Sequence, residues 1–338
     1  MAATTTTPNP DADHADGTAG GRQPVPLAVW PVAQTSAQYQ RAGRYLPEST
    51  AHPGKMLPEL ARRIVIEYSQ PGALVLDPMC GIGTTLVEAA ALGRDAIGVE
   101  CEDRWARLAV GNCERILTGE QQARVEVITA DARRLPDLLD TRAGTVDLVV
   151  ISPPYGCDAG VINRPAWRAG GRLCDTDTLN YGGRANLGHA RGRSYRDAMA
   201  QVYAACHAVL RPGGLLVTVT KNTRRAGRLL DLAGTTVALA RSAGFGYLQH
   251  VVALHAAVRD GTLVSRPSFW QLTQTRHART RGEPAHLVAH EDVCVFTRPI
   301  SPTGSGKLKG SQREPEGPER SSSPVDPWVR CEGAGRDS

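Results

Sequence analysis

Aromatic residues are scarce in this 338-residue chain, at 5% of positions with only three Phe, so its core has to be built from aliphatic side chains. The 41% hydrophobic share is large enough for one. Nowhere do about 18 apolar residues run together, which excludes a membrane-spanning helix. The opening stretch, MAATTTTPNPDADHADGTAGG, has no apolar segment of the kind an export signal needs. The expectation is a soluble, unexported protein. Eight cysteines, at 80, 101, 113, 157, 174, 206, 294 and 331, form no CxxC pair. Cys174 and His189 have no companions to complete a four-ligand set, so no metal is expected. Thiols scattered in this way read as reduced, in a bacterial cytoplasm. No Gly-Lys-Ser/Thr follows a glycine-rich turn, which excludes a nucleoside triphosphate cradle. Internal repeats are absent too.

What is present starts with charge. The net charge is +5, and Arg greatly outnumbers Lys. That balance suits planar contacts to phosphates and bases, although the abundance of Arg, Ala and Gly is equally what a GC-rich genome would encode. Both ends are low in complexity. Residues 1–27 and 299–338 read as disordered tails, because neither can bury enough apolar surface to offset its ordering entropy. The folded part is expected at 28–298.

Within it, short apolar strands alternate with helical patterns. Strands are expected at 73–77, 95–100, 125–131, 146–152, 215–222 and 247–256, with a last one at the edge over 291–298. Helices are expected at 84–93, 102–117, 194–210 and 228–245. Such alternation implies right-handed crossovers and a mainly parallel, seven-stranded α/β sheet of the Rossmann-like kind, with an antiparallel edge strand and helices on both faces. In sheets of this type, ligands bind beyond the carboxyl ends of the strands. Two long Arg-rich segments with interleaved aromatics, 157–193 with many glycines and 257–290, interrupt the rhythm. Segments of that length inside a compact unit tend to be functional or unstructured.

The chemistry concentrates at three strand tips. In LVLDPMCGIGTTLVEAA (74–90), a hydrophobic strand ends in Asp77, and a turn with Gly81 and Gly83 leads into a helix. The glycines let backbone approach a ligand closely. An acid there argues against a phosphate and for a cationic group. The third glycine of a dinucleotide fingerprint is missing, its place taken by Leu86. Glu100 ends the next strand, about 20 residues on, where a carboxylate can accept both hydroxyls of a ribose. Asp131 ends the third and could accept from an adenine amino group. A cationic centre, a ribose and an adenine together describe S-adenosylmethionine.

At this point a family resemblance becomes specific. DPMCGIGTT resembles motif I of the amino-group (N4-cytosine/N6-adenine) DNA methyltransferases. SPPY, Ser152 to Tyr155, resembles their catalytic motif IV, and HPGKMLPELARRIV (52–65) resembles motif X. The likeness extends over roughly 50–298, including VTVTKN and HEDVCVF. It implies a class I methyltransferase fold with S-adenosylmethionine as cofactor. The implied cofactor residues are His52, Pro53, Lys55, Asp77, Pro78, Cys80, Gly81, Gly83, Thr84, Thr85, Glu100 and Asp131. Met79 departs from the family, which has Phe at that place; altered packing is expected there.

The resemblance also gives the SPPY corner a role. An exocyclic amine is a weak nucleophile because its lone pair is delocalised into the ring. The Ser152 hydroxyl and the Pro153 carbonyl would accept its N–H bonds. Pro153 and Pro154 would hold that carbonyl still, and Tyr155 would stack on a base swung out of the duplex. Segment 157–193, with Arg164, Arg168, Arg172 and Arg184, and segment 257–290, with Arg276 and Arg279, are competing sites of nucleic-acid contact. Ser at the first motif IV position leans towards cytosine N4 over adenine N6. Methylation at ring carbon C5 is disfavoured, since no Pro-Cys dipeptide is present to supply its nucleophile. DNA is the expected partner. RNA is less favoured: guanosine N2 methyltransferases use Asp-Pro-Pro-Tyr with an N-terminal RNA-binding domain, and only about 50 residues precede motif X here. A restriction nuclease is a candidate companion, and no sequence feature fixes an oligomeric state. A binding protein with a decayed methyltransferase core is the alternative of a different class.

Overall fold

The computed structural model describes residues 25–155, 166–167, 173–174, 187–190, 192–225, 228–267 and 269–300. One compact unit ends at Ile300, and residues 301–338 lie outside the described residues. The main sheet has eight strands: β1 (Val29–Pro31), β2 (Leu74–Asp77), β3 (Asp95–Glu100), β4 (Val125–Thr129), β5 (Val146–Ile151), β6 (Leu210–Thr220), β7 (Gly246–Leu254) and β8 (His290–Thr297). Across the sheet they run in the order β1-β7-β8-β6-β5-β2-β3-β4. β8 pairs antiparallel with both of its neighbours, and all other pairings are parallel.

Alternation along the strands shows why helices cover both faces. Val75, Leu148, Val150, Val217, Val219, Val293 and Val295 point into one apolar cluster, with helices α1 (Pro58–Tyr68), α2 (Thr84–Ala91) and α3 (Asp103–Ile116). Leu76, Ile97, Val149, Ile151, Leu216, Cys294 and Phe296 point into the other, with α4 (Gly192–Val209) and α5 (Leu232–Ser242). A strand buried on both faces reads as a continuous apolar run, as a parallel α/β sheet requires.

The expected fold class is the observed one, with differences in detail. The antiparallel strand is not at the edge: β8 lies between β6 and β7. Its run Val293–Phe296 is wholly buried, the mark of an interior strand rather than of a half-solvated edge. The eighth strand, β1, holds the edge with three residues, too few for a sequence pattern to register. The expected helix over 228–245 begins at Leu232. Before it, Arg228–Leu230 pairs with Thr223–Arg225 as a short hairpin, and Asp231 caps α5 by accepting from the Gly234 N–H at 2.8 Å. Segment 257–290 contains a hairpin, Ala256–Arg259 with Thr262–Ser265, turned at Asp260-Gly261 with both residues at positive φ. Helix α6 (Phe269–Thr280) follows it.

Leu86, in the place of the missing third glycine, is explained by the strand beneath it. A Cβ on Gly98 of β3 would come within 2.5 Å of Leu86 Cδ1 and 2.8 Å of Cys80 Sγ. The close approach of α2 to the sheet is therefore provided by a glycine on the strand, not on the helix. Gly98→Ala should destabilise the protein by about 1–3 kcal/mol through overpacking, read as a lower denaturation midpoint. An unchanged midpoint would contradict this account of the helix–sheet contact.

Candidate active site

β2 is followed by β3 and β4 on one side, and the chain then returns to lay β5 on the other. The gap between the carboxyl ends of β2 and β5 is thus the point where strand order reverses, where open α/β sheets bind ligands. Asp77 is the last residue of β2, and Ser152 follows the last residue of β5. With Leu76 paired to Val149, Ser152 stands two positions further along the adjacent strand than Asp77. Their Cα atoms are therefore roughly 8 Å apart by strand geometry.

The turn after β2 is built around that acid. Gly81 and Gly83 both have positive φ, 53° and 81°, and Gly83 is the left-handed residue from which α2 starts. Asp77 is buried; its Oδ1 accepts the Met79 N–H at 3.1 Å, and the Thr85 hydroxyl also bonds to it. Burial raises the Asp77 carboxyl to a pKa of about 7 against the help of those bonds, and the nearby Glu100 adds to the rise. Glu100 is buried as well. Its Oε2 accepts from Gly81 N–H and its Oε1 from Glu102 N–H, each at 2.9 Å, so it stitches the turn to β3. Burial raises its pKa too. Asp131 is different. It caps the short helical turn Ala132–Arg134 and is held by the Arg133 guanidinium and N–H, which keep its pKa below the ordinary range. The structure therefore brings Asp77 and Glu100 into one electrostatic neighbourhood and commits Asp131 to Arg133.

His52 forms a wall of the same turn. Its ring is buried, meets Trp105 edge-on at 4.7 Å, and lies over Gly81, where a Cβ would stand 3.0 Å from its Nε2. Burial and the nearby Lys55 push its pKa down to about 3, so the ring is neutral. Lys55 Nζ donates to the carbonyls of Thr50 at 3.1 Å and His52 at 2.6 Å. The two residues thus shape the backbone beside the turn. Pro53 is half-buried between them, and Pro78 is buried behind Asp77. Cys80 donates its N–H to the Val99 carbonyl at 3.0 Å and buries its thiol against β3. Thr84 and Thr85 open α2, both buried, and the Thr84 hydroxyl meets that of Tyr45. Met79 is half-buried against the second core cluster.

Several supporting residues carry little sequence signal. Asn112, fully buried on α3, accepts the Leu46 N–H at 2.9 Å and donates to the Ile82 carbonyl at 2.9 Å. It ties the segment before motif X to the glycine turn; the clue was a polar residue within the apolar stripe of a helix. Tyr45, Ile82 and Trp105 form a small apolar cluster on the same side. At the same carboxyl edge of the sheet, Glu291 of β8 meets His255 Nε2 at 3.1 Å. Burial alone would raise the Glu291 pKa, but the His255 contact and the charges of Lys221 and Arg41 outweigh it and hold the group ionised. Only non-local pairing assembles these four.

Pro153 is buried, and Ser152, Pro154 and Tyr155 are half-buried at the tip of β5. Arg164, Arg168, Arg172 and Arg184 lie outside the described residues. Arg276 is exposed on α6, and Arg279 Nη1 donates to the Ala285 carbonyl at 3.1 Å. Among the described residues no cluster of His, Cys, Asp and Glu could hold a metal, and no helix is long and apolar enough to cross a membrane.

A family profile described as DNA methylase matches residues 9–111. A tRNA (guanine(10)-N2)-dimethyltransferase of Methanocaldococcus jannaschii is 36% identical over 107 residues, 31% of this chain and 30% of that one. The type II methyltransferase M.ScaI of Streptomyces caespitosus is 30% identical over 89 residues, covering 26% of this chain and 28% of its own. The DNA adenine methyltransferase YhdJ of Escherichia coli is 33% identical over 88 residues, with the same two shares. Over these stretches the chain is similar to amino-group methyltransferases. The matched stretch spans less than a third of each of these three relatives.

The residues fit the cofactor of such methyltransferases, S-adenosylmethionine. The turn beneath the site takes a left-handed backbone at Gly81 and Gly83, and two buried acids at its edge supply the negative charge that a cationic ligand would neutralise. Asp77 and Glu100 would hold it, with His52 closing the turn. In the ligand-free protein the buried Asp77 carries a cost. The unfolded chain loses this proton near pH 4 and the folded protein near 7, so stability falls as pH rises through that window. Asp77→Asn should therefore stabilise the ligand-free protein at pH 8 by on the order of 2 kcal/mol, while weakening S-adenosylmethionine at least about tenfold. A thermal melt and a titration check the pair; a destabilised variant, or one that binds as the wild type does, contradicts it.

Proposed function

We propose that this protein methylates an exocyclic amino group of a base in DNA, cytosine N4 in the first place and adenine N6 in the second. The observation that carries the proposal is the position of the Ser-Pro-Pro-Tyr corner: it ends β5 directly beside the buried acid of β2, at the switch point of the sheet. S-adenosylmethionine, when bound, supplies an electrophilic methyl group. The corner prepares the nucleophile. The Ser152 hydroxyl and Pro153 carbonyl accept the N–H bonds of the amine, localising its lone pair. Pro153 and Pro154 have no N–H of their own and fix the carbonyl in advance, so no reorganisation is needed as charge develops. Tyr155 offers a ring face to an extruded base. Asp77 and Glu100 orient the donor from the other side of the gap, which makes the encounter effectively intramolecular.

A second reading is favoured by the tRNA (guanine(10)-N2)-dimethyltransferases among the relatives: transfer to guanosine N2 in RNA. The chemistry of the corner would be the same. Against it stands Ser152 where the RNA enzymes carry Asp. The type II methyltransferases among the relatives favour a site-specific enzyme with a companion nuclease.

The test is to incubate the protein with S-adenosylmethionine and unmethylated DNA or tRNA, then digest to nucleosides for mass spectrometry. N4-methylcytosine in DNA is the expected product. N2-methylguanosine in tRNA alone would move the assignment to the second reading, and no methylated nucleoside in either polymer would refute both. Tyr155→Ala should lower turnover by about 100-fold or more with S-adenosylmethionine affinity unchanged. A variant with full activity would remove the stacking role.

A further inference from the structure

Segment 257–290 leaves a polar cleft where α6 and the loop after it face the residues that continue β6. Thr223, Gln274, Thr275, Arg281 and His286 line it, together with Asn222. Gln271, Gln274, Thr275 and Ala278 of α6 all line this cleft at helical spacing, a stripe distinct from Arg276. The far wall is braced: Arg279 Nη1 donates to the Ala285 carbonyl and Glu283 N–H to the Ala278 carbonyl, both at 3.1 Å.

Two features indicate what the cleft takes. Thr223 is only 8% exposed, lines the cleft, and its hydroxyl has no hydrogen-bond partner. Leaving a buried hydroxyl unpaired costs about 1–3 kcal/mol, which a bound donor or acceptor would recover. Two guanidiniums stand on the wall: that of Arg224, next to Thr223, and that of Arg281, which is paired with Glu283 Oε1 at 2.9 and 3.0 Å. The Arg281 charge is thereby cancelled, and the Glu283 carboxylate beside it would repel a phosphate. Alongside Arg224 the wall offers hydroxyls, the Gln271 and Gln274 carboxamides and the His286 imidazole, groups that both donate and accept. Asn222 adds an NH2 group, since its Oδ1 is spent on the N–H groups of Leu232 and Ala233. That set, guanidinium included, matches the mixed edge of a nucleobase.

We infer that this cleft reads a nucleobase flanking the methylated one, and that it sets sequence preference. The inference rests on the DNA methylation proposed above. Its distance from the catalytic corner fits a neighbour rather than the target. Ile151, just before Ser152, pairs with Thr218, and Thr223 lies five residues beyond, at most about 17 Å along an extended chain.

The experiment uses the full chain, S-adenosylmethionine and a duplex DNA library with randomised positions, and sequences the methylated products. Thr223→Val, which keeps the shape and removes the hydroxyl, and Gln274→Ala are compared with wild type. Titration with S-adenosylmethionine serves as the control for folding and should agree within twofold. The expected result is a preference of the wild type for particular bases beside the methylated one, relaxed about tenfold at one position in either variant. Wild-type preference retained at every position in both variants overturns the assignment. A wild type that methylates no duplex, or tRNA alone, brings down the DNA reading itself and this assignment with it, before any variant is compared.

Discussion

The arrangement depends on a carboxylate kept out of water. Asp77 ends an interior strand, so the sheet that places it also desolvates it, and its proton affinity rises to near neutrality. Among the described residues no positive charge offsets this; two hydrogen bonds only moderate it. A folded chain usually removes such a group or gives it a cation. Here the site is left incomplete in a way that a cationic ligand would complete, and stability is given up to that end.

Around this acid the architecture is consistent. Glu100 anchors the glycine turn through two backbone N–H groups, so a second buried carboxylate has a structural as well as a binding role. His52, neutral and pressed on Trp105, is a wall rather than a charged ligand. Lys55 is turned onto backbone carbonyls. Motif X thus contributes shape to the pocket, and the negative charge comes from the tips of β2 and β3. On the other side of the switch point, the proline-stiffened end of β5 faces the same gap. The long segment after β7 closes the carboxyl edge beyond β6 with a hairpin and a helix.

Much of this was legible in the sequence because it rests on local rules. Apolar runs ending in Asp77, Glu100 and Ser152 mark strand tips, and the glycines after Asp77 mark a turn that only they can adopt. What was not legible depends on partners distant along the chain. The interior position of β8 follows from what covers it, although its unbroken Val-Cys-Val-Phe run was a hint against an edge. Asp231 as a helix cap and Asp260-Gly261 as a hairpin turn are local signals that the broader helical and loop patterns obscured. The role of Gly98 emerges only once Leu86 is seen above it. Likewise, Asp131 is an acid at a strand tip by sequence, yet Arg133, two residues on, takes its charge.

The most direct test of the central claim is proton release on cofactor binding, measured calorimetrically in buffers of different ionisation enthalpy. With Asp77 largely protonated at pH 6, a cationic ligand should expel close to one proton, and affinity should fall roughly tenfold per unit below pH 7. Binding of S-adenosylmethionine that is independent of pH between about 5.5 and 7.5, with no proton released, would contradict the account.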